Sequence, residues 1–363
     1  MEISASVHLT RSSGFILDVD INILPTGITA LYGPSGSGKS TLLRLIAGLE
    51  RGDRGDRIRI VSGNEVWQDG SSFTAPEHRG IGFVFQQQQL FPHLTVQGNL
   101  QFAMKRQHVQ NNIDTSQIYE WLNLHPLLSK KIDQLSGGEA QRVAMARVLL
   151  NGARCILMDE PLGSIDVRSR SRILPYLDRL RRNLKIPMVY VSHSFDEISY
   201  LADYLYVLKE GKVHAKGPLM ELSSDLELAS GQGESAATVI HCTVSKHDPE
   251  FGLSELNFEG AKIFVNAENF QINDSVRVRI PARDVSIATT RPENSSILNI
   301  LRVEVVSLEE SPGPSLLIKL CRNNQFLLAR ITRKSLRMLG LEPGQFVYAQ
   351  IKSVALLNEN VAD

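Results

Sequence analysis

No stretch of this chain approaches the roughly 18 consecutive apolar residues that a bilayer-crossing helix requires. The opening run, MEISASVHLT, has no basic segment followed by an apolar one, which argues against an export signal. These absences lead to the expectation of a protein that stays in the cytoplasm or lies on a membrane without crossing it. Cysteine is scarce. Cys155, Cys242 and Cys321 lie far apart, form neither a metal-ligand spacing nor a disulfide framework, and read as reduced core thiols. Net charge is missing as well: 39 Lys and Arg balance 39 Asp and Glu, so no broad basic field draws the chain to nucleic acid.

What is present is length and apolar content. With 363 residues, 42% of them hydrophobic, the chain can fill two cores. Short β-rich runs (GITALYG, GIGFVFQ, CILMD, PMVYVSH) alternate with helical patterns, the grammar of an α/β domain with a largely parallel sheet. This domain is expected over 1–230, with residues 92–150 forming a helical subdomain. Small polar residues then mark a linker at 231–241. From 242 to 363 period-two runs such as VRVRI, LRVEVVSL and QFVYAQIKSVALL predict a small β-barrel. Two segments of it, VRIPARDVSI and VYAQIKSVAL, align at a constant offset that matches Val278 to Val347, Arg283 to Lys352 and Val285 to Val354. Either two related β-modules or two unrelated amphipathic strands give such a match.

GPSGSGKST, residues 33–41, follows an apolar run and precedes LLRLIAGL, the strand, glycine loop and helix order of a P-loop. Gly33, Gly36 and Gly38, with Pro34, Ser35 and Ser37 between them, let backbone N–H groups converge on phosphate oxygens. Lys39 is placed to reach the β and γ phosphates of ATP, and Ser40, followed by Thr41, to ligate Mg²⁺. CILMDEP ends a strand with two carboxylates: Asp159 suits the Mg²⁺ shell and Glu160 the proton of an attacking water. His193, ending MVYVSH, is expected at the same sheet edge, where an imidazole can bond the γ-phosphate. Gln86, ending IGFVFQ, is a candidate for positioning water or Mg²⁺, beside a polar run of glutamines.

LSGGE, residues 135–139, begins another helix. Ser136, Gly137 and Gly138 with Glu139 can cap that helix and nothing more. They can also hold a γ-phosphate whose lysine comes from a second molecule, which requires head-to-tail dimerisation.

In this order the motifs resemble those of ATP-binding-cassette (ABC) ATPases: Walker A at 33–40, Gln86, the LSGGE signature, Walker B at 155–160, the D-loop GSID ending at Asp166, and His193. The resemblance implies an α/β P-loop NTPase domain with a helical subdomain and two nucleotides sandwiched in a homodimer. Two positions depart from the pattern: the segment before Walker A offers only Phe15 as an aromatic for adenine, and Gly163 stands where serine is frequent. QQLFPHLTVQGNL, residues 88–100, is similar to the importer segment that receives a permease helix. With one cassette and no apolar span, the resemblance implies a separate integral membrane permease, fed by a periplasmic or lipoprotein substrate-binding protein. The chain would then sit peripherally on the cytoplasmic face of a bacterial inner membrane.

Residues 292–357 resemble the Mop/TOBE-like barrel that binds molybdate or tungstate and is fused to the ATPase of molybdate importers, within an OB-like all-β domain. That likeness assigns Ser295, Ser296 and Asn299, with Thr332, Ser335 and Lys352, to oxyanion sites between paired tails. Leu298 stands where an arginine is frequent. The cargo expected is molybdate; importers of sulfate, iron, polyamine or sugar with a structural tail are the alternative.

Overall fold

Strands that are apolar throughout and strands that alternate take different places in the first of two units, Met1–Gly217 and Pro218–Asp363. The computed structural model describes residues 2–53, 55–107, 114–266, 270–310, 313–352 and 354–357. The first unit opens with β1 (Ile3–Thr10), β2 (Ile16–Ile23), β3 (Gly27–Tyr32) and α1 (Lys39–Ala47). There follow β4 (Arg57–Ser62), β5 (Glu65–Asp69), β6 (Ser72–Phe73) and β7 (Ile81–Val84). A helical stretch holds α2 (Val96–Met104), α3 (Thr115–Trp121) and α4 (Gly137–Leu150). The unit closes with β8 (Cys155–Asp159), α5 (Val167–Asn183), β9 (Pro187–Ser192), α6 (Phe195–Leu201), β10 (Tyr204–Lys209) and β11 (Lys212–Pro218).

These strands form one sheet of eleven in the order β6-β5-β4-β1-β2-β11-β10-β3-β9-β8-β7. From β10 to β7 neighbours run parallel, and β8 and β9 are buried at every residue, as strands covered on both faces must be. From β2 outward through β1, β4, β5 and β6 the sheet is antiparallel. There β2 alternates buried and exposed residues, the pattern of a sheet with one face in water. The expectation of a largely parallel sheet therefore holds for the half that carries the motifs and fails for the amino-terminal wing. Asn99, fully buried in α2, fixes the segment before it: its Oδ1 accepts from Phe91 N–H (2.8 Å) while its Nδ2 donates to the Phe91 and Thr95 carbonyls (both 3.1 Å).

The second unit starts with short α7 (Leu219–Ser223) and α8 (Leu226–Gly231). The stretch expected as a linker, 231–241, is ordered here: a 3-10 turn at Gly233–Ser235 leads straight into β12 (Ala237–Asp248). Then come β13 (Leu253–Phe258), β14 (Ala261–Val265), β15 (Ser275–Pro281) and β16 (Val285–Ala288). The set is completed by β17 (Asn299–Leu308), β18 (Ser315–Arg322), β19 (Gln325–Thr332), α9 (Arg333–Leu339), β20 (Phe346–Ile351) and β21 (Ala355–Leu356). Two five-stranded antiparallel sheets result, β14-β13-β12-β15-β21 and β16-β20-β17-β18-β19, closing on one shared core that includes Val278, Ile287, Val303 and Val347.

The aligned repeat occupies equivalent places in these sheets. Each copy is a strand, a corner and a second strand that crosses to the other sheet: β21 pairs with β15 and β16 with β20. Cys155 and Cys242 are buried free thiols whose burial pushes them up to about 12. Cys321 is only half-buried, because its strand faces solvent there, which corrects the reading of three core thiols.

Candidate functional site

The glycine loop joins β3 to α1 at the carboxyl end of the parallel strands. Gly38 adopts φ 98° at the start of α1, and a Cβ there would meet Leu17 Cδ1 at 2.6 Å. Gly33 is tighter still, its missing Cβ lying 2.1 Å from the Leu208 carbonyl oxygen. Only glycine fits at either position. Within the loop, Lys39 Nζ donates to the carbonyls of Gly33 and Pro34 (both 2.8 Å) and to Ser37 Oγ (3.3 Å). Burial pushes this ammonium below its ordinary range, against the pull of Glu160 and Asp159.

Ser40 Oγ donates to Asp159 Oδ1 at 2.7 Å, joining the loop helix to the last residue of β8. Burial raises the Asp159 carboxyl above the usual range, while the Ser40 hydrogen bond works the other way. Glu160, next in the chain, holds φ 43°, a left-handed backbone that glutamate seldom adopts. Its N–H donates to the Val191 carbonyl of β9 (3.1 Å), which keeps the turn in place. His193, one residue past β9, brings Nδ1 within 3.3 Å of Glu160 Oε1. Gln86 lies just beyond β7, and its Nε2 sits 3.0 Å from where a Cβ on Gly163 would be.

A cavity of about 400 Å³ is lined by loop residues Ser35, Gly36 and Gly38 to Thr41 with Gln86, Asp159 and Glu160; His193 is not among its lining residues and meets it through Glu160. Phe15 lines this cavity and also a neighbouring one of about 960 Å³ bounded by Pro34, Ser37 and His214. The aromatic left open by sequence thus stands at the mouth of the loop, half-buried beside Gly38. Ser40, Asp159 and Gln86 offer a hydroxyl, a carboxylate and an amide oxygen in one cavity, a donor set that suits Mg²⁺.

None of Ser136, Gly137, Gly138 and Glu139 is among the residues lining that cavity. They start α4 with a reciprocal cap: Ser136 Oγ accepts from Glu139 N–H (3.3 Å), and Glu139 Oε2 accepts from Ser136 N–H (2.8 Å). Partial burial works against ionising Glu139, yet the Ser136 amide and Lys130 hold its carboxyl below the usual range. Asp166 caps α5 by accepting from Ser169 N–H (3.0 Å).

Sequence reasoning missed Glu197 and Arg170, which surround the site from behind. Ser194-x-x-Glu197 has capping spacing, but the Glu197 carboxylate turns back to Ser192 and Tyr190 instead of the helix end. No local pattern announces that.

In the second unit the six oxyanion candidates fall into two groups. Asn299 pairs with Ile351 across β17 and β20, which sets Lys352 beside it. Thr332 and Ser335 lie at the start of α9, where Thr332 Oγ1 accepts from Ser335 N–H (3.1 Å) and meets its hydroxyl (2.8 Å). The ladder carries Thr332 to Ser315, beyond the Leu308 end of β17, so this group stands at the opposite end of that strand from Asn299. Ser295 accepts from Ile297 N–H (3.1 Å), and Ser296 and Lys352 are exposed. Asn299 is buried and committed: Oδ1 accepts from Phe264 N–H (2.6 Å) and Nδ2 donates to the Phe264 carbonyl (3.0 Å).

Comparison with known proteins agrees with both units. The ABC transporter family model matches residues 16–163, and the TOBE domain model matches residues 295–357. The Molybdenum import ATP-binding protein ModC of Methylococcus capsulatus is 46% identical over 98% of this chain and 99% of its own length. The protein of that name from Aromatoleum aromaticum is 45% identical, over 95% of this chain and 91% of its own length. Among solved structures, a dimeric bacterial ABC transporter cassette shares 29% identity at a TM-score of 0.51, covering 60% of this chain and 99% of that one. The cbiO1 protein of Clostridium perfringens, part of the ABC transporter complex cbiONQ, shares 25% identity at 0.53, covering 61% and 90%.

Proposed function

Because the chain belongs to the molybdenum import ATP-binding proteins of the ABC transporter family, we propose that its site couples ATP hydrolysis to molybdate uptake in the following way. The protein is an ATP hydrolase, the energising subunit of an importer, and works as a dimer with a membrane permease. The observation that carries the reading is the Ser40–Asp159 contact beneath the glycine loop, with the Glu160–His193 pair beside it. The loop amides and Lys39 bind the β and γ phosphates. Glu160 takes the proton of the attacking water, and His193, in contact with Glu160, donates to the γ-phosphate. Gln86 orients the water from the other side. Ser40, Asp159 and Gln86 would hold Mg²⁺, which when bound would supply positive charge to the phosphate oxygens. Ser136, Gly137 and Gly138 approach the γ-phosphate of the partner's nucleotide, which accounts for their absence from the lining of the cavity in their own chain.

The permease receives molybdate from a separate binding protein, and the chain lies on the cytoplasmic face of the membrane. No described helix is long and apolar enough to cross it. The TOBE match and the exposed Ser296 and Lys352 support oxyanion binding between paired tails, with excess molybdate or tungstate biasing the dimer toward an idle state. Calorimetric titration of the full-length protein with molybdate, tungstate, sulfate and phosphate tests this. Saturable binding of the first two alone, weakened by Lys352→Ala, is expected. Binding of none leaves the ATPase reading in place and removes the sensing role; selective binding of sulfate overturns the cargo.

A further inference from the structure

Behind the Glu160–His193 pair lies a buried polar cluster that the hydrolytic scheme does not use. Glu197, 4% exposed in the first turn of α6, is its centre. Its Oε2 accepts from the Tyr190 hydroxyl and from the Ser192 hydroxyl, both at 2.8 Å. Its Oε1 faces Arg170 Nη1 at 3.4 Å. Arg170, in the first turn of α5, also donates to the loop that follows Glu160: Nε to the Ile165 carbonyl (2.7 Å) and Nη2 to the Gly163 carbonyl (3.3 Å). Ser192 Oγ in turn accepts from Ser194 N–H (3.0 Å), so the two residues flanking His193 are tied to each other.

The chemistry of the cluster is settled by burial. Tyr190 is fully buried, and that burial, reinforced by the charge of Glu197, pushes its hydroxyl well above the ordinary range, so it stays a donor. Removing the Glu197 carboxylate from water costs several kcal/mol unless its acceptors are matched, while Arg170 keeps a quarter of its side chain exposed. Here the matches run to two separate loops, one ending at Asp166 and one containing His193. An apolar pair of the same volume would pack the same space without fixing either loop.

We propose that Glu197 and Arg170 are positioning residues for ATP hydrolysis: their ion pair locks the Gly163–Ile165 loop to the Ser192–Ser194 segment and so holds Glu160 and His193 in register. The proposal rests on the reading of Glu160 and His193 as the hydrolytic pair. Neither positioning residue is among those lining the cavity at the glycine loop. Loosening the lock therefore slows turnover and leaves ATP binding alone, since the glycine loop hangs from β3 and α1.

The test uses the full-length protein, with steady-state ATP hydrolysis, titration with a fluorescent ATP analogue and thermal melting. Glu197→Gln and Arg170→Ala are each expected to lower kcat about ten- to a hundredfold. The affinity for the analogue should stay within about threefold of wild type. The Glu197→Gln/Arg170→Ala double variant should fall no further than the worse single one, because both break one link. Arg170→Lys, which keeps a cation facing Glu197, should recover part of the rate. Unchanged kcat in both single variants overturns the proposal, as does an additive double variant or a loss of rate matched by equal losses of affinity and melting temperature. Should Arg170→Ala not fold, Glu197→Gln and Arg170→Gln decide: wild-type kcat in both rejects the lock. The wild type and Glu160→Gln are run alongside. An inert wild type would refute the hydrolytic reading itself, whereas an active wild type with active lock variants refutes the lock alone.

Discussion

A methyl group added at Gly163 would press on Gln86 and Glu160, two of the residues proposed to carry hydrolysis. A Cβ there would lie 3.0 Å from Gln86 Nε2, 3.2 Å from the Glu160 carbonyl oxygen and 3.4 Å from Glu160 Oε2. Serine, frequent at this point in the family, would have to displace one of them by a few tenths of an ångström. In this chain the glycine lets Gln86 settle against the turn that carries Glu160, whose backbone is already in an unfavoured region. Gly163→Ala should therefore slow ATP hydrolysis about three- to tenfold at unchanged ATP affinity, since sub-ångström misplacement acts on the reacting geometry. A variant that lost affinity and kept its rate would show that the loop, not the catalytic pair, absorbs the extra atom. The sequence made Lys39, Ser40, Asp159, Glu160 and His193 legible because each ends a strand or opens a helix in a fixed order. The neighbours of Gly163 were not legible, because Gln86 lies far along the chain and only the fold brings it there. Glu197 and Arg170 stayed hidden for the same reason: a charged side chain in a polar-looking helix start gives no sign that it points inward.

At the scale of elements, the second unit is held by side-chain staples as much as by ladders. Asn299 opens β17, yet its amide completes the backbone of Phe264 in β14, a strand of the other sheet. Periodicity predicted the strands on either side and left open whether β15 and β20 belong to a repeat. It could not say that the strand after each corner crosses to the other sheet, because alternation is identical in either pairing. Nor could it separate a structural amide from a ligand-binding one. Asn299→Ala leaves the part-buried N–H and carbonyl of Phe264 without this partner, at a cost of about 1–3 kcal/mol. Its melting transition should drop, while Lys352→Ala, made at an exposed side chain, should not move it. Should Asn299→Ala melt like the wild type and yet lose oxyanion binding, the amide belongs to the ligand and not to the sheets.

For the molecule as a whole, the decisive fact is where the cores lie. One cluster draws Ile3, Leu31, Leu42, Leu157 and Val191 from the first unit alone. Another draws Val244, Phe258, Leu301, Ile318 and Val347 from the second alone. Each unit exceeds the size at which a single core supports a fold by itself. Two cooperative transitions are therefore expected in calorimetry of the full-length protein, not one. A ligand that binds only the native state of one unit adds about 2.7 kcal/mol at a hundred times its Kd, and adds it to that unit's transition. A non-hydrolysable ATP analogue should raise the transition of the first unit, and Lys39→Ala, which removes the loop's cation, should abolish that shift while leaving the other transition in place. Molybdate, if the tail is its sensor, should raise the second transition and spare the first. A single transition moved by both ligands would mean that the units unfold as one, and regulation would then pass through shared stability instead of through the geometry of a dimer.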